Sequence, residues 1–426
     1  MNLQKLAQRS MRFTKYQTHD FRVVLVRRAL HGLATGLTKQ YTSLYATLLG
    51  ANLVQLGSLQ SVGNAMGAFA ALPTGWFIDY YSLKNVFLLG TAMLAASGLL
   101  YFAAPHWAWL YAALILYYLG VRLTCTACTV TCAAELPNEG RATGRGLCQT
   151  LSSPIAIAAP LLAAWLISRF GGISVEGLRP LFAVQALIFG LILLLLTRLS
   201  ASRARHAPAR NRRMLADFVQ ILRQGPDVVR LLIVMGLMDL PGAIATPFMP
   251  VYAHQFKGAN EFVLGGIAMT STLVPMLAAI PLGRLADRHG RKKLLFAIAP
   301  LAYAANLLLI LAPVSGGGAA LCLLAYGVLF GFNSIGMALA SSMTAEIMPR
   351  EQMGRWIGVV GLFRSLLSIP APTLGGLIWE QIGPQYVFLA AVAIDAGIRL
   401  PLLALTRETL HLQQNEGGGP GVTRLQ

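Results

Sequence analysis

Long apolar runs separated by short polar stretches dominate this chain. The clearest extend from Leu181 to Leu196, from Leu294 to Ala312 and from Val387 to Leu405. Such runs approach the ~20 residues that a helix needs to cross a hydrocarbon core about 30 Å thick. They are continuous and do not alternate with polar positions, which predicts helices and not the strands of a membrane barrel. Twelve segments follow: residues 27–49, 53–78, 86–104, 107–134, 146–167 and 180–197, then 229–252, 263–285, 294–312, 319–345, 357–379 and 386–406. The expected fold class is an all-α membrane protein of twelve transmembrane helices, segments 1 to 12.

Composition agrees. Hydrophobic residues make up 56% of the chain and charged residues 12%, whereas a soluble fold carries about 25% charged residues. The net charge of +18 would by itself suit a nucleic-acid binder, but its distribution points elsewhere. Only Arg169, Arg179 and Lys257 fall on the side away from the termini, and only Lys39, Arg122, Arg364 and Arg399 fall well inside segments. The remaining Lys and Arg lie in the termini, in the loops on the termini side or at the segment ends that adjoin them. An excess of Lys and Arg in short loops marks the cytoplasmic face, so both ends are expected in the cytoplasm. No groove-reading context accompanies the basic clusters, so no nucleic-acid partner is expected.

Residues 1–21 lack the apolar core and cleavage site of a signal peptide and are expected to form a cytoplasmic lead-in. Residues 22–199 and 228–408 are expected to form two six-helix bundles. Residues 200–227, with Arg203, Arg205, Arg210, Arg212 and Arg213, are expected to link them through a surface helix. The tail 409–426, rich in Gly and Gln, is expected to be disordered. Five cysteines, in or beside segments, imply no disulfide framework.

The chain repeats itself. LPTGWFID (Leu72 to Asp79) matches IPLGRLAD (Ile280 to Asp287) at an offset of about 208 residues, and Gly-Ala-Asn occurs at both Gly50 and Gly258. Further on, Gly120 pairs with Gly331, Glu135 with Glu346, Pro160 with Pro372 and Gly171 with Gly383. Segments 1–6 and 7–12 therefore read as duplicates in one orientation, an arrangement that places a transport site between the halves near the midplane.

With these residues the chain resembles the major facilitator superfamily. The carrying motif is GRLADRHGRKK (Gly283 to Lys293), between segments 8 and 9; its first-half copy keeps Gly75, Asp79 and Lys84 but has Tyr80, Ser82 and Leu83 in place of basic and glycine residues. The resemblance implies that Gly283 permits close helix approach. It also implies that Asp287, beside Arg288, Arg291 and Lys292, forms a charge relay latching one conformation. Glu135 with Arg145, and Glu346 with Arg355, are similar to the partner sites. Solvated loop charges worth little each remain the alternative.

An ionisable residue at membrane depth is costly and hence a functional candidate. The resemblance implies that segments 1, 4, 7 and 10 line the central cavity, and these carry His31 and Lys39, Arg122, Asp239, and Asn333 respectively. Lys39, Arg122 and Asp239 each fall near the middle of a segment, which suggests two first-half cations facing one second-half anion in an electropositive site. Asp239 is the candidate proton carrier, its charge set by burial against a nearby Arg122 or Lys39; a fixed ion pair between the halves is the alternative. Pro241, Gly242, Pro247 and Pro250 predict a broken segment 7. Asp395 and Arg399, four apart, are expected to pair, and Arg364 to snorkel. Cys125, Cys128 and Cys132 share a helix face and offer a soft-metal contact, although small residues at helix packing surfaces account for them equally.

The expected function is secondary active transport of a small solute by alternating access, coupled to protons, with the charge pattern suiting an anion. Substrate, protons and the bilayer are the expected partners, the location a prokaryotic inner membrane or an organelle membrane derived from it. No phosphate loop occurs, and neither a cofactor nor an enzyme activity is implied. Other readings stay open. TGLTKQYTSLYA (Thr35 to Ala46) is similar to magnetosome-associated permeases, which implies transport of iron or a ferric chelate. Drug or metabolite efflux is weakened by Ser153, Pro154, Ala159 and Pro160 standing where drug–proton antiporters are glycine-rich. A non-transporting receptor is the last.

Overall fold

The computed structural model describes residues 19–70, 74, 81–135, 141–199, 226–347 and 353–406. Within them, the side chains at 19–21, 129–135, 141–153, 226–228, 341, 344–347, 353–355 and 357–358 fall outside the description. The N-terminal lead-in before residue 19, the linker 200–225 and the tail from 407 lie outside it too.

The described residues form helices: α1 (His19–Thr38), α2 (Thr42–Leu48), α3 (Leu53–Phe69), α4 (Leu83–Ala103), α5 (Trp109–Glu135), α6 (Arg141–Arg169) and α7 (Val175–Leu196) in the first half. The second half holds α8 (Pro226–Leu237), α9 (Leu240–Ala245), α10 (Met249–Lys257), α11 (Glu261–His289), α12 (Arg291–Leu311), α13 (Gly317–Gly331), α14 (Asn333–Ile347), α15 (Met353–Ser368), α16 (Ala371–Gln381), α17 (Pro384–Ile394) and α18 (Leu400–Leu405). A π-helical turn, Asp395–Arg399, joins the last two. Eight of the resulting spans are long and apolar enough to cross a membrane. Segment 1 is α1 and α2, segment 7 is α8 to α10, segment 10 is α13 and α14, and segment 11 is α15 and α16; each is interrupted along its length.

The repeated Gly-Ala-Asn has a local cause. Gly50 (φ 91°) and Gly258 (φ 66°) adopt left-handed backbone, the conformation that ends a helix at low cost only for glycine. Two residues later the side chains of Asn52 and Asn260 accept from the Gln55 and Val263 amides at 2.7 and 2.9 Å, starting the next helix. Stop and start are thus built into three residues, twice.

Lysines at the other end of the bundle show the same duplication. Lys84, at the start of α4, donates to the Thr197 carbonyl just past α7 at 2.7 Å. Lys292, at the start of α12, donates to the carbonyls of Ala404 and Thr406 at 2.7 and 2.6 Å. The two were expected in the conformational latch. The contacts described tie segment 3 to 6, and 9 to 12, inside each half, because a helix C-terminus presents free carbonyls that favour a cation. On the opposite side Arg179 donates to Ala104 at 3.0 Å and Lys257 to Ile310 and Ala312, both at 2.7 Å.

Among the described residues the two main seams between the halves are α3 against α16, and α6 against α11, with a smaller contact of α2 against α10. Duplication maps segment 2 onto 8 and segment 5 onto 11, so the two main seams are one contact formed twice. A Cβ added at Gly57 would collide with the Pro372 carbonyl, and one at Gly265 with the Pro160 carbonyl. Along the first seam Ser61 and Thr373 hydroxyls meet at 2.8 Å and Asn64 donates to the Ser368 carbonyl at 3.0 Å. At its end Glu380 accepts from the Leu53 and Val54 amides at 2.9 and 3.2 Å, so a second-half carboxylate covers the N-terminus of α3. The Tyr41 hydroxyl donates to the Glu261 carbonyl at 2.9 Å. Among the described residues every hydrogen bond between halves belongs to this set, spread from the middle of the bundle to the side away from the termini. On the termini side a Cβ at Gly283 would meet nothing within 4 Å among the described residues.

Candidate functional site

The breaks in segments 1, 7 and 10 surround one cavity of about 560 Å³ between the halves, within the range of small-molecule sites. Lys39 and Gln40, in the turn between α1 and α2, line it, as do Asp239 and Pro247 at the two breaks of segment 7 and Asn333 at the start of α14. The break at Asp239 follows from Pro241, which has no amide to continue the helix from α8 into α9. Tyr117 and Tyr118 from α5 form a T-shaped pair on the wall (ring centroids 5.7 Å apart), and Tyr101 stacks on Phe182 at 4.7 Å. Gln60 donates to the Tyr118 hydroxyl. Met238, Met249 and Met337 complete an adaptable apolar surface.

Asp239 was expected to face first-half cations. Its partner is Arg364 of α15, in its own half. Arg364 Nε donates to Asp239 Oδ2 at 2.8 Å, and Nη2 donates to the same oxygen. Arg364 therefore does not snorkel to the surface: the carboxylate exposed at the break of segment 7 is the nearer place to satisfy a guanidinium. The Asp239 side chain is 38% exposed and that of Arg364 32%, so the pair stays within reach of water and solute.

Two other candidates stand apart. His31 does not line the cavity; its ring packs edge-on against Phe189 at 5.6 Å, and its Nδ1 is buried without a hydrogen-bond partner. Nearby, the buried Arg27 guanidinium lies over the Phe87 ring, 4.8 Å from the centroid. Arg122 is also absent from the lining. It is exposed one turn beyond Tyr118 on the same face of α5, about 6 Å nearer the termini side. A single helical turn beyond Tyr118 is enough to take Arg122 out of the cavity lining.

Arg28 Nη1 contacts Cys128 Sγ at 3.8 Å; the Cys132 side chain lies outside the description. No group of three or more His, Cys, Asp or Glu able to hold a metal occurs among the described residues. Of the latch positions, Gly75 and Asp79 lie outside the described residues, as do the side chains of Glu135, Arg145, Glu346 and Arg355. Asp287 is 68% exposed and meets Arg291 at 3.7 Å, while Arg288 is exposed.

Glu380, Arg364 as a partner and Tyr303, which donates to Asp395 at 2.6 Å, were not singled out in these roles from the sequence. Arg364 carried a signal, a charge within an apolar run. Glu380 and Tyr303 carried none, because their roles depend on helices distant in sequence.

Comparison with known proteins agrees with this architecture. The crystal structure of nucleoside transporter NupG superposes with a TM-score of 0.76 at 13% identity, covering 91% of this chain and 99% of that one. A POT family transporter in complex with 5-aminolevulinic acid gives 0.72 at 12% identity, covering 91% and 96%. At such identities the likeness is one of fold. In sequence, the chain is 26% identical over 270 residues to the multidrug resistance protein MdtG of Dickeya zeae (strain Ech586), 62% of either chain. It is 27% identical over 197 residues to the class B tetracycline resistance protein of Escherichia coli, 45% of this chain and 47% of that one. These alignments span less than two thirds of either relative. The family model described as Major Facilitator Superfamily matches residues 28–274 and again 231–419, and the chain belongs to that superfamily.

Proposed function

We propose that this protein is a secondary active transporter that moves a small solute by alternating access and couples the movement to protons through Asp239. The observation that carries the reading is the Asp239–Arg364 pair, standing at a helix break on the wall of a cavity between two duplicated halves. Protonation of Asp239 removes its charge and leaves the Arg364 guanidinium at membrane depth without a counterion, a state costly enough to bias which way the cavity faces. The family and the charge distribution support an inner-membrane protein with cytoplasmic termini. The conformation described, whose inter-half hydrogen bonds among the described residues run from mid-bundle to the far side, is then the cytoplasm-facing one. The duplicated seams are the contacts that part when the halves rock, and Asp287, which meets only Arg291 among the described residues, is free to latch the opposite state.

Proteoliposomes loaded with a pH-sensitive dye and challenged with aromatic carboxylates, nucleosides and cationic dyes test the coupling. Solute-evoked proton movement is expected with one class and is expected to fall at least tenfold in Asp239→Asn that still folds by its thermal unfolding. Proton movement unchanged in that variant would sink the assignment. Drug efflux is the second reading, favoured by the relatives named for multidrug and tetracycline resistance; a response confined to the cationic dyes would select it.

A further inference from the structure

Of the described side chains lining the cavity only Lys39 and Asp239 are charged, and they stand in different circumstances. The Asp239 carboxylate is neutralised by two donors of Arg364. The Lys39 ammonium has no hydrogen bond or ion pair among the described residues, although it is exposed in the cavity wall. Beside it, the Gln40 amide nitrogen is buried and also lacks an acceptor. The break in segment 1 therefore holds donors in excess of acceptors and one positive charge in excess of negative ones.

A lone ammonium at membrane depth costs several kcal/mol or more unless water or a ligand compensates it. The group that best relieves the imbalance accepts hydrogen bonds and carries a single negative charge, which is a carboxylate. The walls describe the rest of the solute. The half-buried Tyr117–Tyr118 pair offers the edge-on and face-on contacts that a planar aromatic body prefers, backed by the buried, stacked Tyr101–Phe182 rings. The approach has the same sign as the site. Arg122, exposed one turn nearer the termini side on the Tyr118 face, has no hydrogen-bonding side-chain partner among the described residues and would draw an anion inward.

We propose that the cavity takes a planar aromatic carboxylate, its charge held by Lys39 and its ring by the tyrosine wall. The inference rests on the reading of this cavity as the transport site but differs from the expectation that relatives named for drug resistance suggest. A cationic solute would need a free carboxylate on the wall, and the one present is occupied by Arg364.

Binding of 2-naphthoate, 2-naphthalenemethanol and 2-naphthylmethylammonium to the purified full-length protein tests this by calorimetry, with no gradient required. The naphthoate is expected to bind at least tenfold more tightly than its neutral and cationic counterparts. That preference is expected to vanish in Lys39→Gln, with the alcohol bound as before, and to survive in Lys39→Arg. Tightest binding of the ammonium, binding of none of the three, or a preference that persists in Lys39→Gln overturns the proposal. Charge-selective binding without flux in proteoliposomes would refute the transport reading alone. Flux that favours cations would refute this inference alone.

Discussion

At the scale of single residues, the membrane interior makes partners of groups that a soluble fold would leave in water. Asp395 and Arg399 are 10% and 6% exposed, joined through both carboxylate oxygens, with Tyr303 donating to the same carboxylate. The π-helical turn that contains them is a wider turn of the kind that single insertions produce. Removing one partner of a buried ion pair costs about 3–5 kcal/mol, since the other charge stays buried. Losing a neutral donor to a charged acceptor costs about 1.5–3 kcal/mol. Thermal unfolding in detergent should therefore fall further in Asp395→Ala than in Tyr303→Phe, and the opposite order would show that the charge is compensated elsewhere. The Asp395–Arg399 pair was legible in the sequence, because a spacing of four places two groups on one helix face whatever the tertiary fold. The Asp239–Arg364 pair was not. It joins residues 125 apart, and its geometry depends on how two helices are rotated about their own axes, which apolar composition does not record when both faces are buried.

At the scale of helices, the duplication is a better guide than any single motif. Twelve segments, their pairing by repeat and the break in segment 7 were all legible, since apolar length, repeated strings and proline each act locally. The lysines of the loop motif were legible as positions but not as contacts. Lys84 and Lys292 cap helix ends within a half, a destination set by where α7 and α18 end. The seams show how backbone approach joins the halves. Gly57 faces the Pro372 carbonyl with no room for a side chain, so Gly57→Val should hold the seam apart. With the five native cysteines removed, a Ser61→Cys/Thr373→Cys pair, placed where the two hydroxyls now meet at 2.8 Å, should cross-link readily. Adding Gly57→Val should cut the yield several-fold; an equal yield would mean that the seam tolerates a side chain.

At the scale of the whole molecule, the inter-half hydrogen bonds among the described residues lie from mid-bundle to the far side, and on the reading proposed above the cavity opens to the termini side. Ser334, exposed on the cavity wall, should as Ser334→Cys react with a membrane-impermeant maleimide applied from the termini side and resist one applied from the other side. Equal labelling from both sides would show that this conformation does not dominate in a bilayer. The positions of Lys39, Asp239 and Asn333 around one chamber were legible at this scale, because half-way points of segments meet at the midplane when the halves are parallel copies. The exclusion of His31 and Arg122 was not, since a single helical turn decides it.

The unpaired ammonium of Lys39 also has an electrical consequence. A full elementary charge moved through the whole of a 100 mV membrane potential changes in energy by about 2.3 kcal/mol, and a site whose access alternates traverses part of that drop without the lysine travelling far. On the proposals above, the unloaded carrier with Asp239 ionised presents a net positive site to this field, whereas the carrier holding a monovalent anion and no coupled proton presents none. On that reading an inside-negative potential favours the cytoplasm-facing state of the unloaded form and leaves the proton-free loaded step nearly untouched, so the missing counterion would make the cell's voltage a brake on one half of the cycle.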